Sequence, residues 1–161
     1  MAITRLREFL DSHNVQYVVI SHSVAFTAQG IAALTHISGK ELAKTVMVKI
    51  DGELTMAVLP ASLHVDLALL RTAAGATSTT LASEEEFKSK FPDCETGAMP
   101  PFGNLYGMGV FADESLSRDK EIAFNAGSHR ELLRLAWDDF AKLAEPRIAK
   151  FATGKIGSVA A

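Results

Sequence analysis

This sequence predicts an α+β fold: a single domain whose central sheet is mixed, mostly antiparallel, and flanked by helices. Three observations carry that expectation. Helical and extended runs follow one another without the regular βα alternation of a doubly wound fold. Asp51-Gly52 joins two apolar, β-rich runs, a strong short-range hairpin signal. The 161 residues, 48% hydrophobic and 22% charged, have the size and composition of one ordinary globular domain. A chain of this length buries roughly 70% of its unfolded surface, so it needs neither disulfide nor structural metal to fold.

Each element has its own local reason. Residues 4–13 place Leu6, Phe9 and Leu10 at helical spacing among charged residues, predicting an amphipathic helix. The β-branched run 16–21 predicts a strand. Thr27 is a good N-cap, and the alanine-rich run to His36 predicts a short helix that Ser38 and Gly39 break. Runs 42–50 and 54–59 are the two hairpin strands, central and adjacent. Residues 65–74 suit a helix ending near Gly75. Ser83 followed by Glu84, Glu85 and Glu86 resembles a capped helix start, where acids favour the positive end of the helix dipole. Residues 91–106 are irregular, dense in proline and glycine. An apolar run over 108–112 leads to a turn at 113–117, then strands at 121–125 and 130–136 surround the turn 126–129. Residues 137–144 form a helix before Pro146, and the chain frays from Phe151 onward. The domain is drawn over residues 1–152, with 153–161 as a flexible C-terminal tail.

Charge and cysteine usage narrow the function classes. Sixteen Lys and Arg against 19 Asp and Glu leave a net charge of −3. A protein that coats nucleic acid non-specifically is usually basic, so bulk DNA binding is disfavoured while contact at a few RNA phosphates stays open. Lys142, Arg147, Lys150 and Lys155 could form a local phosphate patch or a solvated face. The single cysteine, Cys94, cannot make an internal disulfide, which fits a reducing compartment, and the expected location is the cytoplasm. Arg5, Arg7, Glu8 and Asp11 interrupt the opening segment, so it does not read as a signal peptide, and no run reaches the roughly 18 apolar residues of a membrane span.

The chemistry-bearing residues are few. On the strand 42–49, Lys44 shares a face with Leu42, Val46 and Val48, in a setting whose desolvation would lower its pKa. Taken alone, it also reads as a strand-end lysine snorkelling to water. Gly97 to Gly103 pairs permissive glycines with stiff prolines, so its N–H groups could serve as preorganised oxyanion donors, or the loop could be a tight structural turn. His129, in a turn between strands, could donate a hydrogen bond or carry a proton, or simply be solvated, and Asp113 has the same ambiguity. The histidines at 13, 22, 36, 64 and 129 show no metal-site spacing, so no metal is expected. Cys94 lies between Asp93 and Glu95, a setting that raises a thiol pKa and argues against a nucleophile.

Four separated stretches then combine in one order: GKELAKTV at 39–46, LPA at 59–61 with Val65 and Asp66, FPDCETGAMPPFG at 91–103, and FNAGSH at 124–129. Together, over residues 22–140, they resemble the YbaK-like family, the editing domains associated with prolyl-tRNA synthetase and their free-standing relatives. The resemblance implies a hydrolase that cleaves the ester between a wrong amino acid and the terminal adenosine of a tRNA, acting in trans and without a cofactor. It carries catalytic roles onto Lys44, Gly97, His129 and Asp113, and substrate contacts onto His22, Pro100, Pro101, Phe102, Gly103 and Gly127. The implied partners are the 3′ end of an aminoacyl-tRNA and an aminoacyl-tRNA synthetase; neither DNA nor a membrane is expected. One methylene is worth roughly 1–3 kcal/mol in a pocket, so a proline-selective synthetase accepts alanine or cysteine, and a second, smaller sieve removes them. The expected substrate is therefore tRNA(Pro) carrying Ala or Cys. Two other classes stay open: a non-catalytic tRNA or nucleic-acid binding module, and a regulatory partner of a synthetase.

Overall fold

The computed structural model describes residues 2–22, 40–154 and 159–160. Its helices are α1 (Ala2–Ser12), α2 (Leu67–Ala74), α3 (Glu84–Phe87) and α4 (Trp137–Ala144). Its strands are β1 (Tyr17–Ser21), β2 (Ala43–Ile50), β3 (Glu53–Pro60), β4 (His64–Asp66), β5 (Thr79–Leu81), β6 (Gly109–Asp113), β7 (Glu121–Asn125), β8 (Glu131–Ala136), β9 (Arg147–Ala149), β10 (Ala152–Thr153) and β11 (Val159–Ala160). The helix expected over residues 27–36, its break at Ser38 and Gly39, and Lys155 lie outside the described residues.

The hairpin forms as its turn dictates. Asp51 and Gly52 have φ of +50° and +84°, the positive pair that a two-residue type I′ turn requires. Ile50 therefore pairs with Glu53, and β2 and β3 run antiparallel along their whole length. The Asp51 carboxylate also accepts the Thr77 and Ser78 amides at 2.9 Å each, steering the chain into β5 on the outer side of β2. On the other side, β6 joins β3 in parallel and β9 joins β6 in parallel, giving the order β5-β2-β3-β6-β9. A second, wholly antiparallel sheet has the order β1-β8-β7. The expected α+β arrangement with a mixed central sheet is the one observed, although that sheet divides evenly into two antiparallel and two parallel pairings.

The central strands are apolar on both faces because both are covered. Ala43, Met47, Met56 and Val58 pack with Leu6 and Leu10 of α1, Phe124 of β7 and Phe140 of α4. On the opposite face, Val48, Ala57 and Leu59 meet Leu70 of α2, Phe111 and Phe151. Helix α2 starts two residues later than expected, because Val65 belongs to β4. Its cap is Asp66, whose Oδ1 accepts the Ala68 and Leu69 amides at 3.0 Å. Ser83 and Glu86 form a reciprocal capping box on α3, and Glu86 also pairs with Lys49 of β2, so the acidic run is a helix start.

The C-terminal segment does not fray where the sequence suggested. Phe151 is fully buried, and β10 and β11 both pair antiparallel with β4. Of the basic residues that could form a phosphate patch or a solvated face, Lys142 lies on α4, and Arg147 lies on β9 with its guanidinium 4.7 Å from the Phe111 ring centroid.

Candidate active site

Two glycines in the left-handed region bring a loop and a turn together. Gly97 has φ of +85° and Gly127 of +101°, conformations that residues with a side chain rarely adopt. Between them runs a set of crossed hydrogen bonds: Glu95 N–H to Gly127 O at 2.8 Å, and Gly127 N–H to Ala98 O at 2.9 Å. His129 adds two more, its amide donating to Glu95 Oε1 at 3.1 Å and its Nε2 lying 2.8 Å from Thr96 O. A carbonyl only accepts, so the proton is on Nε2 and the acceptor nitrogen of the ring is Nδ1. His129 is 6% exposed, which sets aside the solvated-loop reading of this histidine.

The rest of the loop anchors it from beneath. Expected at the substrate surface, Phe102 is instead fully buried, with Phe124 and Phe140 ring centroids at 5.8 and 5.4 Å. Gly103 is equally internal: a Cβ there would lie 2.6 Å from Met108 O. Pro100 and Pro101 are buried too, whereas Gly97 is exposed. Among the described residues, the amides of Thr96, Gly97 and Met99 donate to no backbone acceptor. The loop thus keeps two exposed donors, at Thr96 and Gly97, on a packed base that includes Ala98 and Met99.

Lys44 reaches the same region through the join between the sheets. Leu42 bridges Ala123 in parallel, and the Ala123 amide donates to Glu41 O at 3.0 Å. Two residues past that bridge stand Lys44 on one chain and Asn125 on the other, directly before the Gly127 turn. Lys44 is half-buried opposite Leu59, with no hydrogen-bond or ion-pair partner among the described residues, and burial pushes its amine below the ordinary lysine range. His22 joins from β1, its amide donating to Arg130 O at 2.9 Å.

Asp113 stands apart in role. Extending the β3–β6 register places it two strands from Lys44, roughly 10 Å at the usual strand spacing, in the row of Leu59. Its carboxylate is 3% exposed and fully engaged. Oδ1 accepts the Phe151 and Ala152 amides at 3.0 and 2.9 Å, and Oδ2 accepts the Ser115 amide at 3.1 Å and the Ser115 hydroxyl.

The model of the aminoacyl-tRNA editing domain family matches residues 22–143, a span that contains the loop, the turn and Lys44. The chain belongs to that family. Among curated relatives, the multifunctional Ser/Thr-tRNA deacylase ProXp-y of Escherichia coli K12 is 28% identical over 152 residues, covering 91% of this chain and 90% of the relative. Among solved structures, hypothetical protein APE2540 superposes with a TM-score of 0.83 at 18% identity, over 92% of this chain and 99% of that one. A candidate trans-editing enzyme for prolyl tRNA synthetase superposes at 0.81 and 18% identity, over 95% and 98%. At such identities the superpositions speak for the fold alone.

As an editing domain, the chain is a hydrolase of the aminoacyl-tRNA ester, and its site has the parts that this chemistry needs. An aminoacyl ester is already activated, so placement of the carbonyl beside fixed donors counts for more than a strong nucleophile. Cys94 is no candidate for one: burial pushes its thiol up to about 11, and it rests 3.5 Å from the Tyr106 hydroxyl. Two residues of this region were not anticipated from sequence. Glu95 holds the His129 amide across the gap, and the Asn125 side-chain oxygen is buried without a hydrogen-bond partner among the described residues. The signal for both was membership, since Glu95 lies within the stretch 91–103 and Asn125 within 124–129, where neither was singled out. No helix among the described residues is long and apolar enough to cross a membrane.

Proposed function

We propose that the chain is a trans-acting deacylase that removes a small, wrongly attached amino acid from the 3′ end of a tRNA. The observation that carries this reading is the exposed Thr96–Gly97 backbone, whose two amides donate to no backbone acceptor among the described residues and which the His129 ring holds against its turn. In the reaction, water adds to the ester carbonyl and gives up a proton, and loop N–H groups hold the oxyanion. The bond from the carbonyl carbon to the ribose oxygen then breaks, that oxygen takes a proton, and the products are a free amino acid and an intact tRNA. Lys44, half-buried and uncompensated, supplies the positive charge that anchors a terminal phosphate or polarises the ester. His129, with its Nε2 proton committed to Thr96 O, keeps the loop in register and presents Nδ1. Gly127 and His22 shape the surroundings of that turn, and Asp113 serves as a positioning residue.

The size argument favours Ala or Cys on tRNA(Pro). A second reading is favoured by the name of the Escherichia coli relative, a Ser/Thr-tRNA deacylase, which extends the expected substrates to small hydroxyl amino acids. The test is a deacylation panel in which tRNA(Pro) carries Ala, Cys or Pro and the cognate tRNAs carry Ser or Thr. Loss of ester confined to small non-proline amino acids, and abolished by Lys44→Ala, supports the proposal. Tight binding without ester loss would make the chain a binding module, and neither binding nor ester loss would favour a role as a synthetase partner. Full activity in Lys44→Ala would sink the lysine's assignment.

A further inference from the structure

A hollow of about 410 Å³ lies beside the ester site, lined by Lys40, Pro60, Ser62, Leu63, Ser115, Arg118 and Asp119. Its volume is within the range of ligand pockets, roughly 300–1,000 Å³. Pro60 ends β3 and pairs with Ala43, one step along the ladder from the Lys44–Leu59 pair, so the hollow begins where the lysine's row ends. Pro60 and Leu63 give it apolar walls against which a flat ring can stack, Lys40 contributes positive charge, and Arg118 stands at the lining paired with Glu114 at 3.7 Å. The Asp113 knot has its consequence here, since it holds Ser115, amide and hydroxyl, at the lining of this hollow.

The decisive group is Asp119. Its Oδ2 is buried with no hydrogen-bond partner among the described residues, an arrangement that costs free energy unless a ligand supplies a donor. A carboxylate oxygen that only accepts, set beside apolar walls and between the charges of Glu41 and Lys40, matches a nucleobase carrying an exocyclic amine, with its phosphates toward Lys40. We infer that this hollow is a base subsite for the CCA end of the tRNA, in which Asp119 accepts the exocyclic amine of a cytosine or adenine while Pro60 and Leu63 pack against its ring. This inference rests on the deacylase reading. It adds a second point of grip on the tRNA end, away from the ester, and gives a mildly acidic protein a route to single-strand recognition that does not depend on a broad basic surface.

Two measurements separate this inference from the reading beneath it. In the first, the full chain is titrated with CMP, AMP and UMP and followed by amide chemical shifts. The expected result is perturbation at Leu63, Ser115 and Asp119 by CMP or AMP, at least fivefold weaker for UMP, with the preference lost in Asp119→Asn and all binding weakened in Leu63→Ala. Equal response to the three nucleotides, or none at those residues, overturns the subsite. In the second, aminoacyl minihelices carry uridine for either cytosine, or purine riboside for the terminal adenosine, which identifies the base that is read. One substitution should raise KM about tenfold with kcat within threefold, and Asp119→Asn should erase that difference without lowering the melting temperature. A wild-type chain that deacylates every minihelix with the same KM refutes the subsite and leaves the deacylase intact. A chain that deacylates none refutes the deacylase, and the nucleotide titration still decides the pocket.

Discussion

Replacing Asp113 by asparagine distinguishes a structural carboxylate from a catalytic one. Four donors converge on it: the Phe151 and Ala152 amides on Oδ1, and the Ser115 amide and hydroxyl on Oδ2. An asparagine can turn its oxygen toward the two fixed backbone amides and its NH2 toward Ser115, whose hydroxyl can rotate to accept. The Ser115 amide then faces a donor and is left unsatisfied, at a cost of about 1–3 kcal/mol, while the remaining bonds lose their charge assistance. The sum is about 2–4 kcal/mol. In a domain of this length each kcal/mol shifts the melting temperature by about 2–4 °C, so a fall of about 5–15 °C is expected. The assay pairs thermal unfolding by circular dichroism with single-turnover deacylation well below the transition. The rate per folded molecule should stay within a few-fold of wild type, because no Asp113 oxygen is left to meet a substrate. An unchanged melting temperature with a collapsed rate would refute this reasoning and return Asp113 to the reacting groups.

The other predictions concern the charged and glycine positions. Lys44→Met should lower kcat/KM about 100-fold or more, as for loss of a preorganised electrostatic group. It should nonetheless unfold at higher denaturant than wild type at pH 7: the folded state lowers the lysine pKa from 10.5, so the penalty of the buried ammonium is fully present at low pH and is relieved as pH rises through the lowered value, closing the gap toward pH 10. Gly97→Ala forces a side chain into φ +85° and sets its Cβ 3.6 Å from His129 Cε1; kcat should fall about tenfold or more, with the melting temperature changed by only a few degrees. Glu86, whose hydrogen bond to Lys49 leads the causes that hold its carboxyl at about 2 against an ordinary 4.5, contributes stability that is present above pH 4.5 and lost as pH falls toward 2. Glu86→Gln should flatten that part of the acid-unfolding profile and leave the behaviour at pH 8 to the surviving cap.

The elements with strong local causes were legible. The Asp51-Gly52 turn, the Ser83 cap and the apolar spacing of α1 and α4 are each decided within a few residues of chain, and each formed as expected. The strands of two or three residues, β4, β5, β9, β10 and β11, were not, because so short a run has no period to detect and exists only through its partners. The same limit explains the tail: Phe151 looks like the start of a frayed end until Asp113 takes its amide and a buried cluster takes its ring.

For the site, the sequence by itself determined which residue types were available: a lysine on an apolar strand, a glycine and proline loop, and a histidine in a turn, in an order that resembles an editing family. It could not say which of them are exposed. Tertiary structure decided that, because exposure and hydrogen-bond partners are properties of segments remote in sequence. The Gly97 backbone stays open and Phe102 does not, since Phe124 and Phe140 close over one end of the loop while the Gly127 turn clasps the other. Asp113 and Asp119 are six positions apart and chemically identical, and only the fold separates them. One carboxylate meets four donors, and the other keeps a buried oxygen with none among the described residues.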